Sequence, residues 1–149
     1  DQIPMLKQRA NALGIGDRVE ITHGFIDMVE YLAAADVFCF PAQDEGMGTP
    51  LLEALSSGTP VVANADEPSF GEWIIDGENG YLAPLNAEQW ASAVEAAAEF
   101  GETQRKRISQ SVKARISSDV IDKQYLRLMN TLAETAPGQA VDVEQVLSS

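Results

Sequence analysis

Hydrophobic positions along the chain alternate between helical and strand-like spacing. Residues 3–13 carry apolar side chains at helical intervals, and Gly14 ends that pattern. Residues 18–24 (RVEITHG) predict a short strand, because β-branched residues alternate there with polar ones. A short helix is predicted over 28–35. Residues 36–41 (DVFCFP) form a continuous apolar run before a proline, which is typical of a strand buried on both faces.

The rest of the chain continues the alternation of helices and strands. A helix is predicted to begin near residue 50, and residues 59–65 (TPVVANA) predict a second buried strand. The elements after it are a short strand at 80–85, a helix capped by Asn86, and a helical pattern from 103 to about 134 with a break at 117–118. Strands that alternate with helices indicate an α/β domain built on a parallel sheet. We assign residues 1–134 to this domain and residues 135–149 to a loosely attached tail.

Composition and charge narrow the classes of function. The chain has 149 residues, 45% of them hydrophobic and 22% charged, which is typical of a globular domain with an ordinary core. The net charge of -13 argues against a nucleic-acid partner, since no basic stripe is available to replace phosphate counterions. No apolar run approaches the ~20 residues of a membrane span, and the first residues do not read as a signal peptide. The single Cys39 is expected to be a buried small hydrophobe, and a reducing, cytoplasmic location is the default expectation.

The stretch EGMGTPLLE (45–53) concentrates the candidate chemistry. Thr49 is predicted to be the N-cap of the following helix, and Pro50 its first residue. Because the preceding strand is expected to end at Phe40, the stretch lies at the carboxyl end of the sheet. Open α/β sheets bind their ligands at that edge.

The residue types in this stretch suit a phosphate flanked by two polyhydroxylated groups. Gly46 and Gly48 allow a ligand to approach the backbone, and a helix N-terminus offers free N–H groups to an anion. Glu45 can reach a group in front of the helix, and Glu53, expected in the first turn, can accept hydrogen bonds from sugar hydroxyls. A nucleotide sugar has this layout. A first-turn glutamate also stabilises a helix by about 0.3–1 kcal/mol without any ligand, so these residues alone leave both interpretations open.

A longer segment carries a family resemblance. FPAQDEGMGTPLLEALSSGTPVVAN (40–64) resembles the P-S-x-x-E-G-F-G-x-x-x-x-E-A-M-A-x-G-x-P-V-V-A segment of the retaining nucleotide-sugar glycosyltransferases of family 4 (group 1), which have the GT-B fold. The flanking segments RVEITHGFIDMVEYLAAADVFCFP (18–41) and GEWIIDGENGYLAPLN (71–86) resemble that family as well. The resemblance covers roughly residues 6 to 100. It implies a Rossmann-like parallel sheet with flanking helices, forming part of the C-terminal, donor-binding domain.

The resemblance also implies roles for individual residues. Glu45 is implied to be the catalytic residue that faces the donor sugar, and Glu53 to hold the ribose hydroxyls. The N–H groups of the glycine turn are implied to contact the donor's sugar and phosphates: Gly46, Met47, Gly48 and Thr49. Gly24 and Phe25 are implied to lie near the base. The donor is expected to be linked to UDP or GDP, and neither a metal nor another cofactor is expected.

The chain lacks several parts that members of this family contain. Family members begin this domain with two further strands and a basic loop that grips the diphosphate, and they carry an N-terminal acceptor domain. The missing strands would lie between the strands at 18–22 and 36–40, which leaves an open sheet edge. We therefore expect an isolated fragment of a hexosyl glycosyltransferase that is inactive by itself, and strand exchange with a second copy to form a homodimer.

Two alternatives and one local departure stay open from the sequence. A non-catalytic nucleotide-binding or assembly module of the same fold would also explain the missing basic loop, and a nucleotide-sugar epimerase fits less well. The loop at 66–71 (DEPSFG) is acidic where the family usually has paired glycines, so no role carries over to Glu72. His23 lacks a Cys or His partner and is expected to be structural.

Overall fold

The computed structural model describes residues 2–148. Its helices are α1 (Ile3–Ala12), α2 (Met28–Ala34), α3 (Thr49–Ser56), α4 (Ala87–Ala98), α5 (Glu102–Ile116), α6 (Ser118–Glu134) and α7 (Val143–Ser148). Its strands are β1 (Phe38–Phe40), β2 (Val61–Asn64) and β3 (Gly80–Ala83). Short 3₁₀ turns occupy Gly16–Arg18 and Pro68–Glu72. Within the described range no helix is long and apolar enough to cross a bilayer.

The strands form a parallel sheet in the order β1-β2-β3. In the register, Val62 lies opposite Cys39 on one side and Tyr81 on the other. Every residue of β2 is buried, as the apolar run at 59–65 predicts. Gly80 allows β3 to approach β2, because a Cβ there would overlap the Val61 carbonyl oxygen. The predicted α/β fold with a parallel sheet is confirmed.

Helices cover both faces of the sheet. On one face, α3 lies between the strands and α5, and its Leu51 and Leu55 have no solvent exposure. Ile108 and Val112 of α5 complete that core. On the other face, α4 packs against β2 and β3 through a smaller cluster that includes Ala97. The fully apolar β2 is explained by this burial on both sides.

Hydrogen bonds from α5 tie its neighbours together. Arg105 donates from Nη1 to the Asp36 carbonyl at 3.2 Å and from Nη2 to the Ala35 carbonyl, just past the C-terminus of α2. Ser109 Oγ donates to the Ser56 carbonyl at the end of α3, at 2.6 Å. These bonds satisfy carbonyl groups that a helix end leaves without an intrahelical partner. They also connect α5 to the ends of α2 and α3.

The predicted strand at 18–24 is wrong. Residues 16–18 form a 3₁₀ turn, and residues 19–27 have no regular secondary structure. A strand exists only where a neighbour accepts its backbone hydrogen bonds, and no described residue pairs with this segment. The alternating pattern therefore indicates a strand propensity, but the described residues include no strand with which this segment pairs.

β1 is an edge strand, so the prediction that it is buried on both faces is wrong. Phe38 and Phe40 are half-buried towards α3, whereas Cys39 points to the other face and is exposed. That face is left open because α4 packs mainly against β2 and β3. Enough protein surrounds the sulfur for desolvation to raise the pKa of the Cys39 thiol. An exposed thiol with a raised pKa is not an activated nucleophile.

The C-terminal helices lie where the sequence predicts them, and α6 is only partly buried. The break at 117–118 separates α5 from α6, as expected. None of the residues of α6 is fully buried, and its Tyr125 and Leu132 are exposed. α6 ends at the predicted boundary, residue 134, and α7 packs against α6. The loose attachment of the tail after residue 134 stays a prediction.

The bonds of Arg105 give a testable expectation for stability. Arg105→Ala should lower the free energy of unfolding by about 1–2 kcal/mol, because two charge-assisted hydrogen bonds are lost. Arg107→Ala is the matched control on the same helix, since the Arg107 side chain is exposed and makes no hydrogen bond within the described range. Urea denaturation followed by circular dichroism measures both variants. Equal midpoints for the two would contradict the role given to Arg105.

Candidate functional site

Two loops meet at the carboxyl edge of the sheet. The first, residues 41–48, follows β1 and leads into α3; the second, residues 65–70, follows β2. Asn64, the last residue of β2, is buried and joins them. Its Nδ2 donates to the Ala42 carbonyl at 3.2 Å, and its Oδ1 accepts from the Asp66 N–H at 3.1 Å. Sequence reasoning missed Asn64, although a polar residue ending a buried apolar strand is a signal that could have indicated it.

The glycine turn is held by aromatic packing. Gly48 has a left-handed φ of 69° and is the N-cap of α3, so the prediction that Thr49 is the N-cap is wrong. Thr49 is instead the first helical residue, and no side chain caps the helix. A Cβ on Gly48 would lie 2.7 Å from Cε1 of Phe70, which is fully buried. Phe70 in turn packs against Phe40, with ring centroids 5.3 Å apart.

Backbone donors are free at the start of α3. Among the described residues, no protein acceptor binds the N–H groups of Gly46, Met47, Gly48 and Thr49. The first intrahelical donors are Leu51 and Leu52, which both bond to the Gly48 carbonyl. Gly46 and Met47 are exposed, so an incoming group could reach this turn. Unpaired N–H groups at a helix N-terminus attract an anion through both hydrogen bonding and the helix dipole.

A groove runs from this turn along α3. It encloses about 710 Å³ and brings together three of the predicted binding residues, Phe25, Thr49 and Glu53. Its walls come from the segment leading into α2, from one side of α3, and from Ile116 at the end of α5. Gly24 precedes the groove with a positive φ of 96°, a conformation that glycine adopts without strain. Phe25 is fully exposed.

Glu53 lies further into α3 than expected. It is the fifth residue of the helix, and the first turn contains no acidic residue. Its exposed carboxylate therefore faces the groove rather than the N–H groups at the helix start. The interaction of a charge with the helix dipole falls off within the first turn. The helix dipole therefore does not explain the presence of a glutamate at position 53.

Glu45 directly precedes the turn and does not line the groove. It is exposed, and its backbone N–H donates to Glu67 Oε2 at 3.0 Å. Ser69 Oγ bonds to Glu67 Oε1 at 3.2 Å and to the Glu45 carbonyl at 3.5 Å. The N–H of Glu45 lowers the pKa of Glu67 most, and bonds to Ser69 and Asp44 lower it further. Sequence reasoning missed the role of Glu67; the unusual acidity of the 66–71 loop was its only signal.

The remaining candidates take no part in this arrangement. Glu72 is exposed, and its carbonyl accepts from Arg115 Nη1 at 3.4 Å. The guanidinium of Arg115 also stacks over the Trp73 ring, 4.0 Å from its centroid. His23 is exposed. In residues 2–148, no three side chains of His, Cys, Asp or Glu converge as a metal site would require.

Comparisons with known proteins identify the family of this chain. The sequence model of the family "Glycosyl transferases group 1" matches residues 4–115. The lipopolysaccharide core biosynthesis glycosyltransferase LpsE of Rhizobium meliloti is 31% identical over 129 residues, covering 83% of this chain and 37% of that protein. The lipopolysaccharide core biosynthesis mannosyltransferase LpsB of the same organism is 29% identical over 132 residues, with 87% and 37% covered. The chain thus spans little more than a third of these relatives.

A solved structure shares the fold. The pneumococcal O-GlcNAc transferase GtfA, crystallised with UDP and GlcNAc, superposes with a TM-score of 0.64 at 21% identity. The match covers 100% of this chain and 28% of that one. The predicted Rossmann-like architecture of a GT-B glycosyltransferase is thereby confirmed. The chain belongs to the group 1 glycosyltransferases.

The packing of Gly48 predicts a contrast between the two glycines of the turn. Gly48→Ala should destabilise the fold by about 1–3 kcal/mol, because the new methyl group meets buried Phe70 and the positive φ becomes strained. Gly46→Ala should change stability by less than about 0.5 kcal/mol, since its Cβ would meet no atom within 4 Å. Denaturant unfolding of both variants measures the difference. A Gly48→Ala protein as stable as Gly46→Ala would refute the described packing.

Proposed function

We propose that this chain is the donor-binding portion of a retaining hexosyl glycosyltransferase that uses a nucleotide diphosphate sugar. One observation carries the proposal: the unpaired N–H groups of residues 46–49 lie at one end of a groove that contains Glu53 and Phe25. An anion held at the turn would project a nucleoside along the groove on one side. Its sugar would then point towards Glu45 on the other side.

The arrangement supports a separate role for each group. The N–H groups of Gly46, Met47, Gly48 and Thr49 would hold the diphosphate, and they would stabilise its growing charge as the glycosidic bond breaks. Glu53 would accept hydrogen bonds from the ribose hydroxyls. Phe25, with Gly24 before it, would lie beside the base, where an exposed ring can stack. Glu45 would face the transferred sugar.

The donor and the setting are proposed on the same grounds. UDP- or GDP-linked hexoses fit the expected diphosphate-and-ribose layout, and the proposed chemistry rests on backbone N–H groups without a metal or another cofactor. We place the protein in the cytoplasm. Transfer requires an acceptor domain, which we propose precedes this region in the complete protein. The isolated chain is proposed to be inactive.

The open edge of β1 supports a further proposal about assembly. No described strand covers the outer side of β1, and residues 19–27 provide none. Exposed strand edges pair readily with other chains. In the isolated chain we propose that a second copy exchanges strands at this edge to form a homodimer.

A second candidate function is a non-catalytic nucleotide-binding or assembly module. The observation that favours it is the charge around the turn: Asp44, Glu45, Asp66 and Glu67 are all acidic. Within the described residues, no arginine or lysine side chain bonds to this loop. A diphosphate would then be held by backbone groups alone, which suits modest binding better than catalysis of its departure.

Binding of nucleotides tests the donor site. In a titration of the chain with UDP, GDP, UDP-glucose and GDP-mannose, amide NMR shifts should concentrate at residues 45–53 for one base. Glu53→Ala should weaken that binding about 10- to 100-fold, because charged hydrogen bonds to the ribose are lost. The control is Glu95→Ala, an exposed glutamate of α4 on the opposite face of the sheet. Unchanged affinity in Glu53→Ala would refute the assignment of the ribose site.

Turnover tests the role of Glu45. In a protein that also carries the acceptor domain, Glu45→Ala should lower kcat by about 100-fold or more while affinity for the nucleoside diphosphate stays within about threefold. The reason is that Glu45 lies outside the groove and would meet only the transferred sugar. Steady-state kinetics together with calorimetric binding separates the two effects. A variant with unchanged kcat would favour the non-catalytic module.

A further inference from the structure

The carboxylate of Glu67 bonds directly to the loop that carries the proposed sugar-facing residue. Its Oε2 accepts the Glu45 N–H at 3.0 Å, and Ser69 Oγ bonds to its Oε1 at 3.2 Å. Glu45 and Glu67 lie 22 positions apart in the sequence. Glu67 thus connects the loop after β2 to the loop after β1 beside the glycine turn.

The bond fixes a backbone that is otherwise weakly held. Asp44 has a positive φ of 58°, which a non-glycine residue adopts only at some cost. Gly46 has no neighbour within 4 Å of where its Cβ would be. Between these two residues, the backbone of Glu45 is held by the Glu67 carboxylate and by the longer bond from Ser69. Removal of the carboxylate would release the segment that positions Glu45.

The same carboxylate sets the charge at this end of the site. The N–H of Glu45 adjoins the free N–H groups of the turn, but it already has an anionic partner. Asp44, Glu45 and Asp66 add three more carboxylates around it, and no described side chain forms an ion pair with any of them. An additional anion placed beside these carboxylates would be repelled by like charge, and such repulsion can exclude a ligand.

We propose that Glu67 is a positioning and specificity residue of the donor site: it holds the Glu45 loop and restricts the transferred group to uncharged hexoses, excluding hexuronic acids. This inference rests on the proposed function, since it takes the donor's sugar to lie beside Glu45. The diphosphate is proposed to bind at residues 46–49, where free N–H groups at a helix N-terminus favour an anion. The substrate class is therefore a nucleotide sugar whose sugar carries hydroxyl groups and no carboxylate.

A series of three variants separates the two parts of the inference. Glu67→Gln removes the charge but keeps an oxygen acceptor, and Glu67→Ala removes both. Asp66→Asn is the matched control, since it removes one charge from the same loop but leaves the bond to Glu45 intact. Asp66 is exposed and Glu67 is half-buried, so neither substitution changes the hydrophobic core, and circular dichroism of each variant checks that it folds.

The positioning role is measured without any donor. In the unmodified chain, the amide resonance of Glu45 should shift as pH falls, with a midpoint below the ordinary glutamate value. The direction follows because the depressed pKa of Glu67 keeps its carboxylate charged and bonded at neutral pH, and protonation at lower pH weakens the bond. Asp44, Glu45 and Asp66 are also carboxylates close to Glu67 in the two loops, so the transition must persist in Asp66→Asn and vanish in Glu67→Gln. Amide exchange at Glu45 should be about tenfold faster in Glu67→Ala. If the transition survived in Glu67→Gln, the positioning role would be overturned.

The specificity role is measured with matched donor pairs. The probes are UDP-glucose with UDP-glucuronate and GDP-mannose with GDP-mannuronate, since each pair differs only in the sugar's carboxylate. The unmodified chain should prefer the uncharged member, and Glu67→Gln should reduce that preference about fivefold, the effect of one charge at a few ångströms in water. Asp66→Asn should reduce the preference for the uncharged donor by a similar or smaller factor, and it should leave amide exchange at Glu45 unchanged. An unchanged preference in Glu67→Gln would overturn the specificity role.

Failure of the donor site itself would be recognisable. If none of the four nucleotide sugars bound to the unmodified chain, the proposed function and the specificity role would both fall. The pH transition and amide exchange of Glu45 would still decide the positioning role, because neither measurement involves a ligand. If nucleotides bound normally and only the preference failed to respond, the proposed function would stand without this inference.

Discussion

The site depends on the packing of one aromatic ring beneath one glycine. Phe70 is fully buried, and it contacts both Phe40 at the end of β1 and the backbone of Gly48 at the start of α3. It belongs to the loop after β2, so its burial brings that loop under the glycine turn. The close approach is possible only because residue 48 has no Cβ. The hydrophobic core thereby fixes the direction in which the free N–H groups of the turn point.

Polar contacts refine what this packing establishes. Asn64 holds the start of both loops from its buried position at the end of β2, and Glu67 holds them again nearer the tip. On the other side of α3, Ser109 and Arg105 of α5 bind the carbonyl groups at the ends of α3 and α2. The turn is thus held by apolar burial below, by side-chain bonds at its tip, and by α5 behind. Preorganised donors of this kind stabilise an anion without the cost of reorienting when it binds.

The elements that the sequence predicted correctly are those whose signal is local. β2 is a continuous apolar run, α3 begins at Thr49, close to the predicted residue 50, and Asn86 caps α4 through the N–H groups of Glu88 and Gln89. The errors all involve distant partners. A strand at 18–24 needs a neighbour to bond with, the N-cap at Gly48 depends on Phe70, and the burial of Cys39 depends on how far α4 extends. Glu53 and Phe25 were placed in one site by resemblance, and the groove brings them together. Glu67 could not be placed, because no local pattern indicates a bond across 22 residues.

The two ends of the groove are held by different parts of the fold. The glycine turn is anchored by the sheet, by Phe70 and by the two bridging side chains. The wall opposite Glu53 comes from the segment before α2, whose predicted strand finds no partner in the described sheet. The segment before α2 is held at its end by the N-cap of α2, where the Asp27 carboxylate accepts the Val29 N–H at 3.0 Å. Phe25 projects beyond that cap and is fully exposed. The fold of this chain therefore preorganises the proposed phosphate end of the groove, whereas the proposed base end depends on a wall that the sheet does not hold. A nucleotide bound here would gain most of its affinity from the turn and from Glu53. The contact that the Phe25 ring makes with the base would select the identity of that base.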